Sequence, residues 1–236
     1  MNSYNHSRIT IKTGFVAALS VSIITLIVFA FAMMAVPPAG PYCPGDCMSY
    51  PFGDLLDYFP RDYYWMYIAI VQLIAYLILT ISIHVTAPVE KRIFSTNGVA
   101  FALIAAIVLL IDYYIQFAVI PVSVMKGETA GIALITQYNA HGIFIALEEL
   151  GFIMMSISFL FLSFVFTDKN RLSGSIRWLL TVSFVLTLLS YVFYLITYGI
   201  EREYRFEVAV ITINWLTLIV VGILIGVYFN RRLKNE

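Results

Sequence analysis

Six stretches of this sequence consist almost entirely of apolar side chains, and they constrain the fold more than any other feature. We place them at residues 14–36, 63–85, 97–119, 140–166, 176–198 and 208–229. A run of about 20 apolar residues is long enough to cross the hydrocarbon core of a bilayer as a helix. Lipid offers the backbone no hydrogen-bond partner, so each run must satisfy its own backbone groups as a helix. The sequence therefore predicts an all-α, polytopic integral membrane protein, a bundle of six transmembrane helices in one domain over residues 1–236.

The composition agrees with this interpretation. Hydrophobic residues make up 61% of the chain, charged residues 12%, and the mean hydropathy is +0.89. The formal net charge is zero, so no basic surface points to a nucleic-acid partner, and membrane lipids are the expected surroundings. The fourth run is the longest of the six, and we expect its helix to tilt or to extend beyond the hydrocarbon.

The basic residues predict the orientation in the membrane. Ten of the fourteen lie before the first run, between runs two and three, between runs four and five, or after the sixth. The other four, Arg61, Lys126, Arg202 and Arg205, lie on the opposite side. Because basic residues accumulate in cytoplasmic loops, we expect a multi-pass protein of the cell membrane with both termini in the cytoplasm.

The first run resembles a signal peptide in one respect, since Ala30-Phe31-Ala32 could serve as a cleavage site after a basic start. The apolar core of a signal peptide is usually only about 7–15 residues long. We therefore expect a retained membrane anchor. Cleavage, the alternative, would leave five helices with the same orientation.

The connection at residues 37–62 is predicted to lie outside the cell, and it contains both cysteines of the chain, Cys43 and Cys47. An oxidising compartment and the Pro-Gly turn between them favour a disulfide within the loop. Free thiols, a metal-bound pair and a redox pair are the alternatives. Membrane enzymes that use a redox-active cysteine pair usually need a Cys-x-x-Cys spacing and a second pair of cysteines. This sequence has neither.

Three carboxylic acids fall inside the apolar runs, where a charge is most expensive. Asp112 lies in the third run, and Glu148 and Glu149 lie side by side in the fourth. An ionised side chain at the centre of a bilayer costs at least about 2.5–3.5 kcal/mol, and such residues usually face a cavity or the bundle interior. No lysine or arginine lies well inside any run, so we expect these acids to have no ion-pair partner in the membrane.

The depths of these acids predict a common site. The third run crosses outward and the fourth inward, which places all three acids roughly 6–8 Å to the outer side of the midplane. Glu149 is rotated by about 100° from Glu148, so the two cannot face the same point, and one of them should bond a neighbouring helix. We predict an acid-lined cavity open to the outer face.

Other polar residues are predicted to lie near the same level. Gln116 follows Asp112 by one helical turn, and His141 precedes Glu148 by two turns, near the predicted mouth. The remaining candidates for ligand binding come from the second, fifth and sixth runs: Gln72, Tyr191, Tyr194 and Asn214. Each of these side chains could instead hydrogen-bond between helices and hold the bundle together.

Two glycines in the sixth run, Gly222 and Gly226, have the small-xxx-small spacing of closely packed membrane helices. Packing of helices is the expected role, and a contact between two copies of the chain in a homo-oligomer is an alternative.

These residues predict a protein that binds, and could transport, a small cationic or protonatable solute. A membrane-embedded enzyme that uses carboxylate acid–base chemistry on a lipid or isoprenoid is one alternative. A non-catalytic accessory or sensor subunit is the other. Three scattered histidines predict no metal site, and the sequence identifies no cofactor.

Overall fold

The computed structural model describes residues 2–35 and 39–235, and its secondary structure is helical, with no strand in these residues. The eight α-helices are α1 (Asn2–Met34), α2 (Tyr64–Thr86), α3 (Arg92–Ala118), α4 (Ile120–Met125), α5 (Ile132–Ile135), α6 (Ile143–Ser163), α7 (Arg171–Tyr198) and α8 (Tyr204–Asn235). Six of them, α1, α2, α3, α6, α7 and α8, are long and apolar enough to cross a membrane. The predicted all-α, six-span architecture is confirmed at this level.

The helix ends differ from the predicted ones mainly in two places. α1 begins at Asn2, well before the predicted residue 14, while the predicted end of the first run, Val36, and the loop residues Pro37 and Pro38 lie outside the described residues. The fourth run was predicted to be the longest, which is wrong. Its helix α6 has 21 residues, the shortest of the six, because residues 136–142 form turns before it.

Hydrogen bonds of the Asn139 side chain stabilise the turn that delays the start of α6. This side chain donates to the carbonyl of Ala133 and accepts from the backbone N–H of His141, at 2.8 and 3.1 Å. Gly142 then has an extended backbone before the helix begins. The predicted run included Ala140, His141 and Gly142, which this turn excludes from the helix.

The long helices cross the bundle in alternating directions. α1 packs against α2 and α8, α3 packs against α6, and α7 packs against α6 and α8. Gly14 near the start of α1 lies against the ring of Phe229 near the end of α8, so the two chain termini share one end of the bundle. We call this the terminal end and the opposite one the cap end.

Short helices and loops cover the cap end. Residues 39–63 contain three short 3-10 helices, Gly40–Tyr42, Gly53–Tyr58 and Arg61–Tyr63. The predicted disulfide between Cys43 and Cys47 is present in this segment. α4 and α5 follow α3 on the same end and connect it to α6. Gly40 has a φ of +70°, and a Cβ there would lie 2.4 Å from the ring of Tyr204, so this segment packs directly on the start of α8.

Candidate functional site

A cavity of about 320 Å³ lies at the cap end, between α1, α2, α6, α8 and the covering loops. Most of its surface is apolar and aromatic. The rings that line it belong to Phe29, Tyr42, Trp65, Tyr138, Phe144, Tyr204 and Trp215. This volume is at the lower end of the roughly 300–1,000 Å³ that small-molecule sites usually occupy.

Three carboxylates line the same cavity: Asp62, Glu148 and Glu207. Asp62 is neutralised by Arg61, whose Nε lies 2.7 Å from its Oδ1. The described lining contains no lysine, arginine or histidine that could neutralise Glu148 or Glu207 in the same way. The cavity therefore combines an apolar wall with two acids that lack a lining cation.

Glu148 is completely buried. The hydroxyl of Tyr113 donates a hydrogen bond of 2.8 Å to its Oε1, while its Oε2 has no hydrogen-bond partner in residues 2–35 and 39–235. Asp112 lies next to it, close enough for electrostatic interaction, and is also buried with Oδ2 unpartnered in the same residues. The antiparallel α3 and α6 thus bring two of the three predicted acids together.

Glu207 in the first turn of α8 completes this group, and it was missed by the sequence analysis. It is buried, lines the cavity and interacts electrostatically with Glu148, Glu149 and Asp112. Glu207 lies one residue before the predicted sixth run, which places it in the loop between the fifth and sixth runs in the sequence-based prediction. Its spacing of seven residues from Asn214, two helical turns on one face, is the signal that could have placed it in the bundle.

Glu149 has the ion-pair partner that the sequence analysis did not expect. Arg202, between α7 and α8, donates from Nε to Oε1 of Glu149 at 3.0 Å, and its Nη2 donates to Oε2, so the contact is bidentate. This hydrogen bonding raises the pKa of Arg202 above its ordinary value. The expectation that the intramembrane acids are unpaired is therefore wrong for Glu149, because a loop arginine reaches back to the helix.

Glu148 and Glu149 consequently have different environments, as their rotation about the helix axis requires. Glu148 faces the cavity, whereas Glu149 faces Arg202. The guanidinium of Arg202 also lies over the ring of Tyr191, 5.6 Å from its centroid. Tyr194 stacks with Tyr198, and neither Tyr191 nor Tyr194 lines the cavity.

The predicted glutamines and Asn214 hold the bundle together and do not line the cavity. Gln72 donates to Thr25 Oγ1 at 3.1 Å, which joins α2 to α1. Gln116 binds two backbone groups of the cap, the carbonyl of Ile135 at 2.8 Å and the N–H of Gln137 at 2.9 Å. His141 is exposed on the cap and lies outside the cavity lining.

Asn214 belongs to a buried polar group nearer the middle of the bundle. It exchanges hydrogen bonds with Ser156, which in turn contacts Thr187 at 2.9 Å. These three residues join α6, α7 and α8. Between them and the carboxylates lies the floor of the cavity, where Trp215 makes edge-on contacts with Phe29, Trp65 and Phe152.

Trp215 also presents an unused donor to the site. Its Nε1 is buried and has no acceptor in the part of the chain that the structure describes. Glu148 Oε2, Gln137 Nε2 and the Tyr138 hydroxyl, on three further lining residues, also have no partner in the described residues. Buried polar atoms normally have a partner, so the wall of this cavity is unusual in its unsatisfied polar groups.

The glycine face of α8 is used within the chain. A Cβ at Gly222 would lie 2.3 Å from Ser22 Oγ, and one at Gly226 would lie 3.0 Å from the side chain of Leu19. The face that could have joined two copies of the chain is therefore covered by α1.

Within the described residues, no group of three or more histidine, cysteine, aspartate or glutamate side chains is arranged to hold a metal ion. No family model matches the chain, and comparisons with curated proteins and with solved structures also give no match.

Proposed function

We propose that this protein binds a small organic ammonium ion in the cavity at its cap end. The observation that carries the proposal is the combination of two buried carboxylates, Glu148 and Glu207, with aromatic walls and no neutralising cation in the described lining. An ionised carboxylate buried without a partner is costly, and a cation bound between the two would offset that cost. The negative electrostatic potential of an aromatic face attracts organic cations. Small inorganic ions benefit less from this attraction because they keep their hydration shell.

The roles of the residues follow from their positions. Glu148 and Glu207 supply the negative charge that binds the cation, and Asp112 lies close behind them. Tyr113 fixes the orientation of Glu148 through its 2.8 Å hydrogen bond. Trp65 and Trp215 provide ring surfaces for the organic part of the ligand.

The same proposal includes an orientation. Both termini are cytoplasmic and the cap end faces the outside, as the distribution of the basic residues indicates. The cavity would then lie in the outer half of the membrane. Transport across the membrane is a further part of the proposal, supported by the Ser156–Thr187–Asn214 group that lies beneath the aromatic floor.

Quenching of tryptophan fluorescence tests the binding directly. Two of the three tryptophans line the cavity, while Trp178 is 69% exposed on α7, so a Trp178→Phe background leaves signals from the site alone. We would titrate the protein in phosphatidylcholine nanodiscs with 4-bromobenzylamine, because bromine quenches indole fluorescence only at short range. The uncharged 4-bromobenzyl alcohol has nearly the same shape and measures binding without the charge.

The expected result is saturable quenching by the amine at concentrations at which the alcohol quenches only weakly. Glu148→Gln and Glu207→Gln should each weaken amine binding by about tenfold or more, the value of one charge-assisted contact. Glu90→Gln, which changes an exposed acid between α2 and α3, is the matched control and should have no effect. Equal binding of amine and alcohol, or unchanged binding in both glutamine variants, would disprove the proposal.

The second candidate function is acid–base catalysis on a membrane-dissolved lipid. The close approach of Glu148 and Glu207 favours it, since one carboxylic acid can donate a proton while the other accepts one. Incubation of nanodiscs containing unsaturated isoprenoid lipids in heavy water tests this reaction. Deuterium should enter carbon positions with the natural sequence and not with Glu148→Gln. Equal incorporation in both samples would rule it out.

A further inference from the structure

The two helices α1 and α8 are in direct contact towards the terminal end. Ser22 Oγ on α1 donates to the carbonyl of Ile219 on α8 at 2.9 Å. Gly222 makes this approach feasible, because a Cβ there would lie only 2.8 Å from the carbonyl oxygen of Ala18. The two helices are in direct contact at this level.

Towards the cap end the same two helices separate, and the cavity lies between them. Phe29 and Met33, one turn apart on α1, line one side, and Val208 and Thr212, one turn apart on α8, line the other. The contact of Phe29 with Trp215, at 5.9 Å between ring centroids, marks the bottom of this gap. The cavity is therefore bounded on two sides by faces of α1 and α8.

The edges of this gap are exposed and apolar. Met33 is 70% exposed and Val208 is 41% exposed, although both line the cavity. Their exposed neighbours along the helices, Met34 on α1 and Leu216 on α8, are apolar too. In a membrane-spanning bundle such a surface faces hydrocarbon, so the gap opens sideways into the lipid.

The size of the cavity limits what can lie inside it. A volume of about 320 Å³ holds a compact head group, but a long hydrocarbon chain would have to continue outside. Its acids are buried on the inner wall, while the side open to lipid is apolar. This polarity matches a molecule with a cationic head and an apolar tail.

We propose that the ligand is a single-chain amphiphilic amine that enters from the lipid between α1 and α8. Its ammonium group binds at Glu148 and Glu207, and its chain leaves the cavity between Met33 and Val208. This inference rests on the proposed binding of an organic ammonium ion, and it adds the chemical class of the ligand and its route of access.

Competition with 4-bromobenzylamine tests this route in the Trp178→Phe nanodisc sample. Dodecylamine should displace the bromo compound and restore the tryptophan fluorescence at lower concentration than butylamine does. The combined substitutions Met33→Phe and Val208→Phe narrow the gap with apolar side chains that lipid tolerates. Leu216→Phe, on the lipid-facing surface of α8 outside the cavity lining, is the matched control.

In the variant with the narrowed gap, the same displacement should require a dodecylamine concentration about tenfold higher. This loss of affinity corresponds to the burial of roughly two methylene groups. Binding of 4-bromobenzylamine should weaken less than dodecylamine displacement does, since the small compound fits within the cavity and has no chain that leaves it between Met33 and Val208. The Leu216→Phe control should behave like the parent protein.

The outcomes separate this inference from the proposed function. If the narrowed gap leaves dodecylamine displacement unchanged while Glu148→Gln still weakens 4-bromobenzylamine binding, the lateral route is wrong and the ammonium site remains. An equal loss for the small and the long amine also counts against the route, because the substitutions would then have altered the whole cavity. If 4-bromobenzylamine does not bind at all, the proposed function fails first.

Discussion

Towards the terminal end, glycine and serine bring α1 and α8 into contact, whereas at the cap end the same two helices stand apart around a cavity lined by rings and carboxylates. Both regions are built from apolar helices of similar composition. They differ in side-chain size, because Gly222 and Ser22 allow close approach of the helices while the rings of Phe29 and Trp215 meet between them at the floor of the cavity. The comparison teaches that close packing and a binding cavity are made in one bundle by changing the size of a few residues.

Removal of Arg202 should have the largest effect on the cap end. Arg202→Met leaves the buried carboxylate of Glu149 without its partner, and breaking a buried ion pair in this way costs about 3 kcal/mol or more. The free energy of unfolding in mixed detergent micelles with increasing dodecyl sulfate measures the loss. The double variant Arg202→Met with Glu149→Gln removes both charges and should recover most of it. Failure of the double variant to recover would mean that Arg202 acts through contacts other than Glu149.

Gly222→Ala should disrupt the contact between α1 and α8 towards the terminal end. The added Cβ would lie 2.3 Å from Ser22 Oγ and 2.8 Å from the carbonyl oxygen of Ala18, and overpacking of this kind costs about 2 kcal/mol. The same unfolding titration measures it. Gly174→Ala is the matched control, because nothing lies within 4 Å of its Cβ position, and it should be neutral or stabilising. Equal stability of the two alanine variants would contradict the close contact of α1 and α8.

Gln116→Leu should loosen the cap. It leaves the carbonyl of Ile135 and the N–H of Gln137 without their side-chain partner, at a cost of about 1–2 kcal/mol. Because Gln137 and Tyr138 line the cavity, the midpoint of the 4-bromobenzylamine titration should also rise. A variant that loses stability without any change in amine binding would show that this wall of the cavity does not contact the ligand.

Gln72→Leu should have the smallest effect, and it is the same substitution at a position away from the cavity. It removes one hydrogen bond to Thr25 between α1 and α2, and such bonds in membrane proteins contribute about 0.6 kcal/mol on average. Amine binding should remain unchanged. A clear loss of amine binding in Gln72→Leu would indicate that Gln72 contributes to the ligand site, as the sequence predicts.

The depth of the buried acids could be predicted from the sequence, whereas the orientation of the other polar side chains could not. Asp112 and Glu148 could be placed at one level by counting residues along two antiparallel helices, because the rise per residue is fixed. The same count did not reveal which polar groups face the cavity. Gln72, Gln116 and Asn214 were predicted at suitable depths, yet their side chains bond neighbouring segments, which helix rotation and loop position decide.

The sequence by itself determined the six helices that are long and apolar enough to cross a membrane, and the positions of the acids within them, since hydrophobic length and charge are properties of local residues. It also indicated the disulfide, because only two cysteines exist and they lie four residues apart. The tertiary structure alone decided that Arg202 neutralises Glu149, that Glu207 joins Glu148, and that α1 and α8 separate at the cap end. These outcomes depend on how helices rotate and on where loops return, and such long-range geometry is not encoded in any single stretch of the chain.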